Sequence, residues 1–129
     1  NMAKNLLLLS HFNENKEYLK ISKQMLHNVT PDMTNYPSAH ANWLTLYLNY
    51  TYPFYEVAIS GTDALEKSVQ LNKVYLPNKL VAGSSKKSDF PLLKNRFSTK
   101  DTYLYVCVNN TCNLPTNNTE VAINQLKVK

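Results

Sequence analysis

Glycine is nearly missing from this chain of 129 residues, which carries two, Gly61 and Gly83. That scarcity excludes the Gly-x-Gly-x-x-Gly cradle, in which the backbone must approach a phosphate closely at several glycines. Cysteine is equally sparse, with Cys107 and Cys112 alone. Structural zinc wants four ligands, and His11, His27 and His40 show no paired spacing that would complete a set. Neither a metal nor a cofactor is expected. No Gly-x-Ser-x-Gly elbow occurs, and no His stands in a context that pairs it with a nucleophile. No catalytic residue is therefore assigned, and the chain by itself is not expected to be an enzyme. Long apolar runs are lacking too. Leu6-Leu7-Leu8-Leu9 is too short for a membrane span or the core of a signal peptide, and His11 and Asn13 follow at once.

What is present describes a globular chain. Hydrophobic residues make up 43% and charged residues 18% of it, near the composition of folded domains and far from that of disordered ones. Its length is that of one typical domain, enough to bury a core. The formal net charge of +5 is modest. The densest basic group, Lys86, Lys87, Lys94, Arg96 and Lys100, lacks periodicity and reads as a solvated loop. A nucleic-acid face would need a basic stripe on an ordered element, so no nucleic-acid partner is expected. Four Asn-x-Thr sequons begin at Asn28, Asn49, Asn109 and Asn117, as a chain rich in Asn and Thr produces by chance. No compartment is written in the residues, although a cytoplasmic one is favoured. The chain starts at Asn1, inside an apolar helical pattern without a preceding cap, and is expected to be a trimmed piece of something longer.

Periodicity divides the chain in two. Residues 1–52 read as helical. Met2, Leu6, Leu9 and Phe12 define one face of a first helix, and Leu7 and Leu8 widen it. Tyr18, Ile21, Met25 and Val29 mark a second helix, which Pro31 should end. A third runs from Ala39 to about Tyr50. Residues 53–129 change period. Glu56–Ser60 reads as a strand, a helix opens at Asp63-Ala64-Leu65-Glu66 with capping-box spacing, and Leu80–Gly83 reads as a second strand. Strand, helix and strand at this separation form a compact parallel crossover. Residues 84–100 are a polar connection with one helical turn. Tyr103–Val108 is the strongest strand signal, Asn109-Asn110 a tight turn, and a last helix begins near Asn117. The fold class is α+β or α/β: a helical hairpin with a third helix, then a small unit of three to four strands with a parallel β-α-β crossover.

Three groups carry possible chemistry. Ser60, Gly61 and Thr62 lie where a strand hands over to a helix, the place where doubly wound proteins bind phosphates; ordinary capping by Asp63 is the plainer reading. Cys107 and Cys112 stand across the predicted turn with four residues between them. They read first as two ordinary thiols, reduced and unreactive, with an incidental cross-strand disulfide or a thiol redox element as alternatives. Trp43, Tyr47 and Tyr50 could line a sugar pocket, but more often such a stripe is core.

The run Val57-Ala58-Ile59-Ser60-Gly61, followed by Tyr75-Leu76-Pro77-Asn78-Lys79 and by Tyr105-Val106-Cys107-x4-Cys112-x-x-Pro115, resembles the tail of the thioredoxin-domain-containing, YyaL-like proteins and their spermatogenesis-associated relatives. Asn1 with Asn5-Leu6-Leu7, and Tyr36-Pro37-Ser38-Ala39, are similar to the same family. The resemblance implies a parent several times longer, with a thioredoxin-like domain and an α/α toroid similar to six-hairpin glycosidases and N-acylglucosamine 2-epimerases. Residues 1–52 would then be the closing helices of that toroid. It implies a packing role for this segment, with the remainder of the parent chain as partner, or a homodimer through residues 1–52 where that remainder is missing. The family's thioredoxin-like cysteine motif has no counterpart here.

Overall fold

The computed structural model describes residues 1–127 and divides the chain into two compact units, Asn1–Pro53 and Phe54–Lys129. The first unit is helical: α1 (Met2–Asn13), α2 (Lys16–Met33), a 3-10 turn at Pro37–His40, and α3 (Ala41–Thr51). The link between α1 and α2 is only Glu14 and Asn15. Glu14 takes the left-handed conformation at φ 53°, and the Asn15 side chain accepts from the amides of Glu17 and Tyr18 at 2.9 and 3.2 Å. One helix is thus ended and the next capped within two residues, which produces the expected hairpin.

The buried face of α1 is not the one its leucines suggest. Ala3, Leu7 and Ser10 point inward, whereas Met2 and Leu9 stay 63% and 44% exposed. On α2 the inward residues are Ser22, Leu26 and Met33, and Ile21 faces outward. Small side chains explain the shift, because they bring two helix backbones close enough for direct bonding. Ser22, fully buried, donates to the Ala3 carbonyl at 2.6 Å and accepts from the Tyr50 hydroxyl at 2.8 Å, tying all three helices at one point. Leu7, Leu26, Met33 and Leu46 fill the core around it, with Trp43 and Tyr50 packed alongside. Pro31 does not end α2, which runs on to Met33. Pro31 lies in the last turn of α2, so only two helical residues follow it, and Met33 gains a place in the core.

The second unit holds β1 (Tyr55–Ser60), α4 (Ala64–Asn72), β2 (Lys79–Ser84), a 3-10 turn at Pro91–Leu93, β3 (Tyr103–Val108), β4 (Thr111–Cys112) and α5 (Thr119–Gln125). The sheet order is β2-β1-β3-β4. β1 and β2 are parallel, with Val57 beside Val81, so the expected crossover is present. β3 is antiparallel to β1, with Val57 beside Val106. Every residue of β1 is buried, as befits a central strand covered on both faces. On one face Tyr55, Val57, Ile59, Leu104 and Val106 pack against Ala64 and Leu71 of α4, Ala122 of α5 and Leu126 just after it. Fully burying each large aliphatic side chain here contributes about 1.5–3 kcal/mol. Leu65 and Val69 of α4 face outward. The connection after β2, which reads as merely polar, sends Leu92 and Leu93 inward beside β1 and β2. α5 is capped by Asn118, whose side chain accepts from the Glu120 and Val121 amides at 2.8 and 3.4 Å.

Candidate functional site

The Ser60–Asp63 junction closes on itself. Gly61 sits at φ +142°, and a β-carbon there would overlap the Thr102 side chain, lie 2.5 Å from the Thr102 α-carbon and 2.8 Å from the Asp101 carbonyl oxygen. Glycine is thus required by the approach of the segment before β3. Three amides of the junction are engaged within the fold. Gly61 donates to the Ser84 carbonyl at 3.1 Å, Asp63 to the Thr102 hydroxyl at 3.0 Å, and Ala64 to the Gly61 carbonyl at 3.2 Å. Ser60 is buried and Thr62 exposed, with the Thr62 hydroxyl donating to the Asp63 carboxylate at 3.3 Å. The expected capping box does not form. Asp63 makes no side-chain cap, and Glu66 accepts from Gln70 one turn along α4. Thr102, 39 residues away in sequence, takes the capping role, and no local pattern announces it.

The second sequence-assigned pair is brought together, and not as two thiols. Cys107 and Cys112 form a disulfide with their α-carbons 3.9 Å apart, which corrects the expectation of reduced, ordinary cysteines. The cause is the turn. Asn109 and Asn110 both adopt positive φ, 49° and 62°, the combination that closes a two-residue hairpin whose twist matches its strands. Cys107 and Cys112 then stand directly opposite each other, flanked by the Val108–Thr111 pair and by the Asn113 amide bonded to the Val106 carbonyl at 2.9 Å. Cys107 is buried at 1% exposure and Cys112 lies on the exposed edge.

A cation is fixed against both sulfurs, also contrary to expectation. Arg96, read from sequence as part of a solvated basic loop, places Nη1 3.6 Å from Cys107 Sγ and Nη2 3.6 Å from Cys112 Sγ. Its guanidinium lies over the Tyr105 ring, 4.9 Å from the centroid, and the Tyr105 hydroxyl donates to the Arg96 carbonyl at 3.4 Å. Buried Leu92 and Leu93 anchor the preceding turn, and the Arg96 amide donates to the Leu93 carbonyl at 3.3 Å. Lys86, Lys87, Lys94 and Lys100 remain on the surface. Tyr105 and Cys107 lie on the sheet face opposite the α4–α5 core, together with Glu56, which is buried and directly opposite Cys107 in register.

Elsewhere, Trp43 and Tyr50 pack against the helical core while Tyr47 faces outward, so the aromatic stripe is divided. Burial pushes the Tyr50 hydroxyl above its ordinary pKa, against the opposing influence of its bond to Ser22. Among the described residues no group of three or more His, Cys, Asp or Glu side chains could hold a metal ion, and no helix is long and apolar enough to cross a membrane. Comparison of the chain with protein-family models, curated proteins and solved structures finds no match.

Proposed function

We propose that this chain is a non-catalytic C-terminal region of a larger thioredoxin-domain-containing, YyaL-like protein, in which the helical unit completes an α/α toroid. One observation carries the reading: large apolar side chains left in water on the helical unit. Met2, Leu8 and Leu9 of α1, Ile21 of α2, and Leu44, Tyr47 and Leu48 of α3 are all exposed, Leu48 by 52%. Half-exposed as they are, each forgoes roughly 1 kcal/mol of burial. Together they approach the margin of about 5–15 kcal/mol that holds a domain folded. Neighbouring helices of the same parent chain are the occupants that fit such a surface. The family resemblance supplies their identity, through Leu76-Pro77-Asn78-Lys79 at the entry to β2 and Cys107-x4-Cys112-x-x-Pro115 on the edge hairpin.

Two measurements test the proposal. The coding frame upstream of Asn1 should encode a thioredoxin-like domain and further helical hairpins; a frame encoding neither overturns it. The isolated chain at tens of micromolar should self-associate and bind an apolar dye. Replacing Leu8, Leu9 and Leu48 with Lys should abolish both effects with helix content unchanged. A strictly monomeric chain without dye binding means that the helical unit needs no neighbours.

A further inference from the structure

The edge hairpin combines features that packing alone does not require: a disulfide with one exposed and one buried member, and a cation held against both sulfurs. We infer that Cys107–Cys112 is a thiol-exchange site, whose co-reactant is a thiol reductant of the dithiol or glutathione class.

The geometry assigns the roles. Exchange begins when a thiolate attacks one sulfur in line with the S–S bond and expels the other. Cys112 lies at the exposed end of the hairpin and Cys107 behind it, nearly without access. The incoming thiolate therefore bonds to Cys112 Sγ, and the S–S electron pair leaves on Cys107 Sγ as a thiolate, which then takes a proton. A second thiol of the reductant, as its thiolate, attacks the mixed disulfide and expels Cys112. In balance, two reductant thiols are oxidised to one disulfide, and the protein disulfide is reduced to two thiols.

Arg96 is placed to favour the first step. Its Nη1 touches the sulfur on which negative charge develops, and its Nη2 touches the sulfur that bears charge after the second step. A cation gains more from a thiolate than from a neutral disulfide sulfur, so the contact strengthens as the reaction proceeds. Stacking on Tyr105 and the bond from the Tyr105 hydroxyl hold Arg96 there beforehand. Glu56 stands opposite Cys107 in register on β1, and Arg96 is the group in contact with both sulfurs.

The experiment uses the whole chain. It is exposed briefly to excess reduced glutathione without denaturant, quenched by unfolding in denaturant that contains excess N-ethylmaleimide, and mapped by peptide mass spectrometry. Glutathione should be found on Cys112 and maleimide on Cys107; glutathione on Cys107, or no opening of the disulfide until the chain is unfolded, overturns the inference. Reduction by dithiothreitol should slow by roughly threefold or more in Arg96→Met, because the leaving thiol loses its cation, while Arg96→Lys should recover part of the rate. A separate readout excludes a merely structural role. In Cys107→Ser, alkylation of Cys112 by iodoacetamide at pH 7 should fall about tenfold when Arg96→Met is added, as its thiol returns toward the ordinary value. The two rates should converge above pH 10, where both thiols are ionised. Equal rates at pH 7, or a difference that persists unchanged at high pH, would show that Arg96 governs only access or packing.

Discussion

Replacing Gly61 with Ala tests whether the β1–α4 junction is a closed structural turn or an open ligand loop. At φ +142° an L-residue is strained by about 1–3 kcal/mol before any contact is considered. The added methyl also meets atoms that cannot step aside: the Thr102 α-carbon at 2.5 Å and the Asp101 carbonyl oxygen at 2.8 Å are both backbone. Overpacking of this kind adds about 1–3 kcal/mol. A combined cost of about 3 kcal/mol should appear in the α/β unit, as amide hydrogen exchange accelerated roughly a hundredfold across β1 and β3. Exchange is the appropriate assay because it reads this unit separately from the helical one. The double variant Gly61→Ala/Thr102→Ala should not be rescued, since it relieves the side-chain overlap but leaves both backbone clashes, and it also strips the Asp63 amide of its acceptor. A cost under about 1 kcal/mol, a fivefold change in exchange, would refute the reasoning. The segment before β3 would then have room to withdraw, and the Asp63 amide could be released from Thr102 to a phosphate.

Asn118→Ala removes the side-chain acceptor for two amides of α5 and should cost about 0.5–2 kcal/mol, read as faster exchange in α5 and its neighbour α4. Tyr50→Phe removes the hydroxyl that bonds Ser22 and should lower the stability of the helical unit by about 1 kcal/mol in urea titrations followed through Trp43. The same variant should alter the alkaline limb. The folded Tyr50 pKa is raised above the ordinary 10.0, so the folded state holds its proton more tightly than the unfolded chain. That contribution to stability is present below pH 10 and is lost as pH rises through the folded value. The phenylalanine variant should lack this decline, and an unchanged limb would assign it to another group.

Local signals were the ones that could be read in advance. The β1-α4-β2 crossover, the β3 run and the Asn109-Asn110 turn each follow from a few adjacent residues, and all three stand where the pattern puts them. Faces were less legible. Apolar count favoured Met2, Leu6, Leu9 and Phe12 on α1, but close helix contact selects Ala3 and Ser10 because small residues admit a neighbouring backbone. The disulfide lies between these cases. Its spacing and turn were visible, but whether two cysteines face each other or stand one register apart is decided by a single residue. Arg96 and Thr102 could not be found at all, since each acts on a partner brought near only by the fold.

The two sequence-assigned sites part company on the same physical test, namely what their polar atoms already do. At the Ser60–Asp63 junction the amides of Gly61, Asp63 and Ala64 are bonded within the fold, so a phosphate would have to displace existing partners before gaining anything. At the hairpin the chemistry runs the other way. A disulfide sulfur is a weak acceptor, and the Arg96 contacts at 3.6 Å are correspondingly loose. Reduction would turn that acceptor into a thiolate and the loose contact into a charge-assisted one. A bonded junction is most satisfied as it stands, whereas the cationic clasp on Cys107 and Cys112 becomes stronger once the bond it covers is broken. That asymmetry is why the edge hairpin, and not the strand–helix junction, is the place to look for chemistry in this chain.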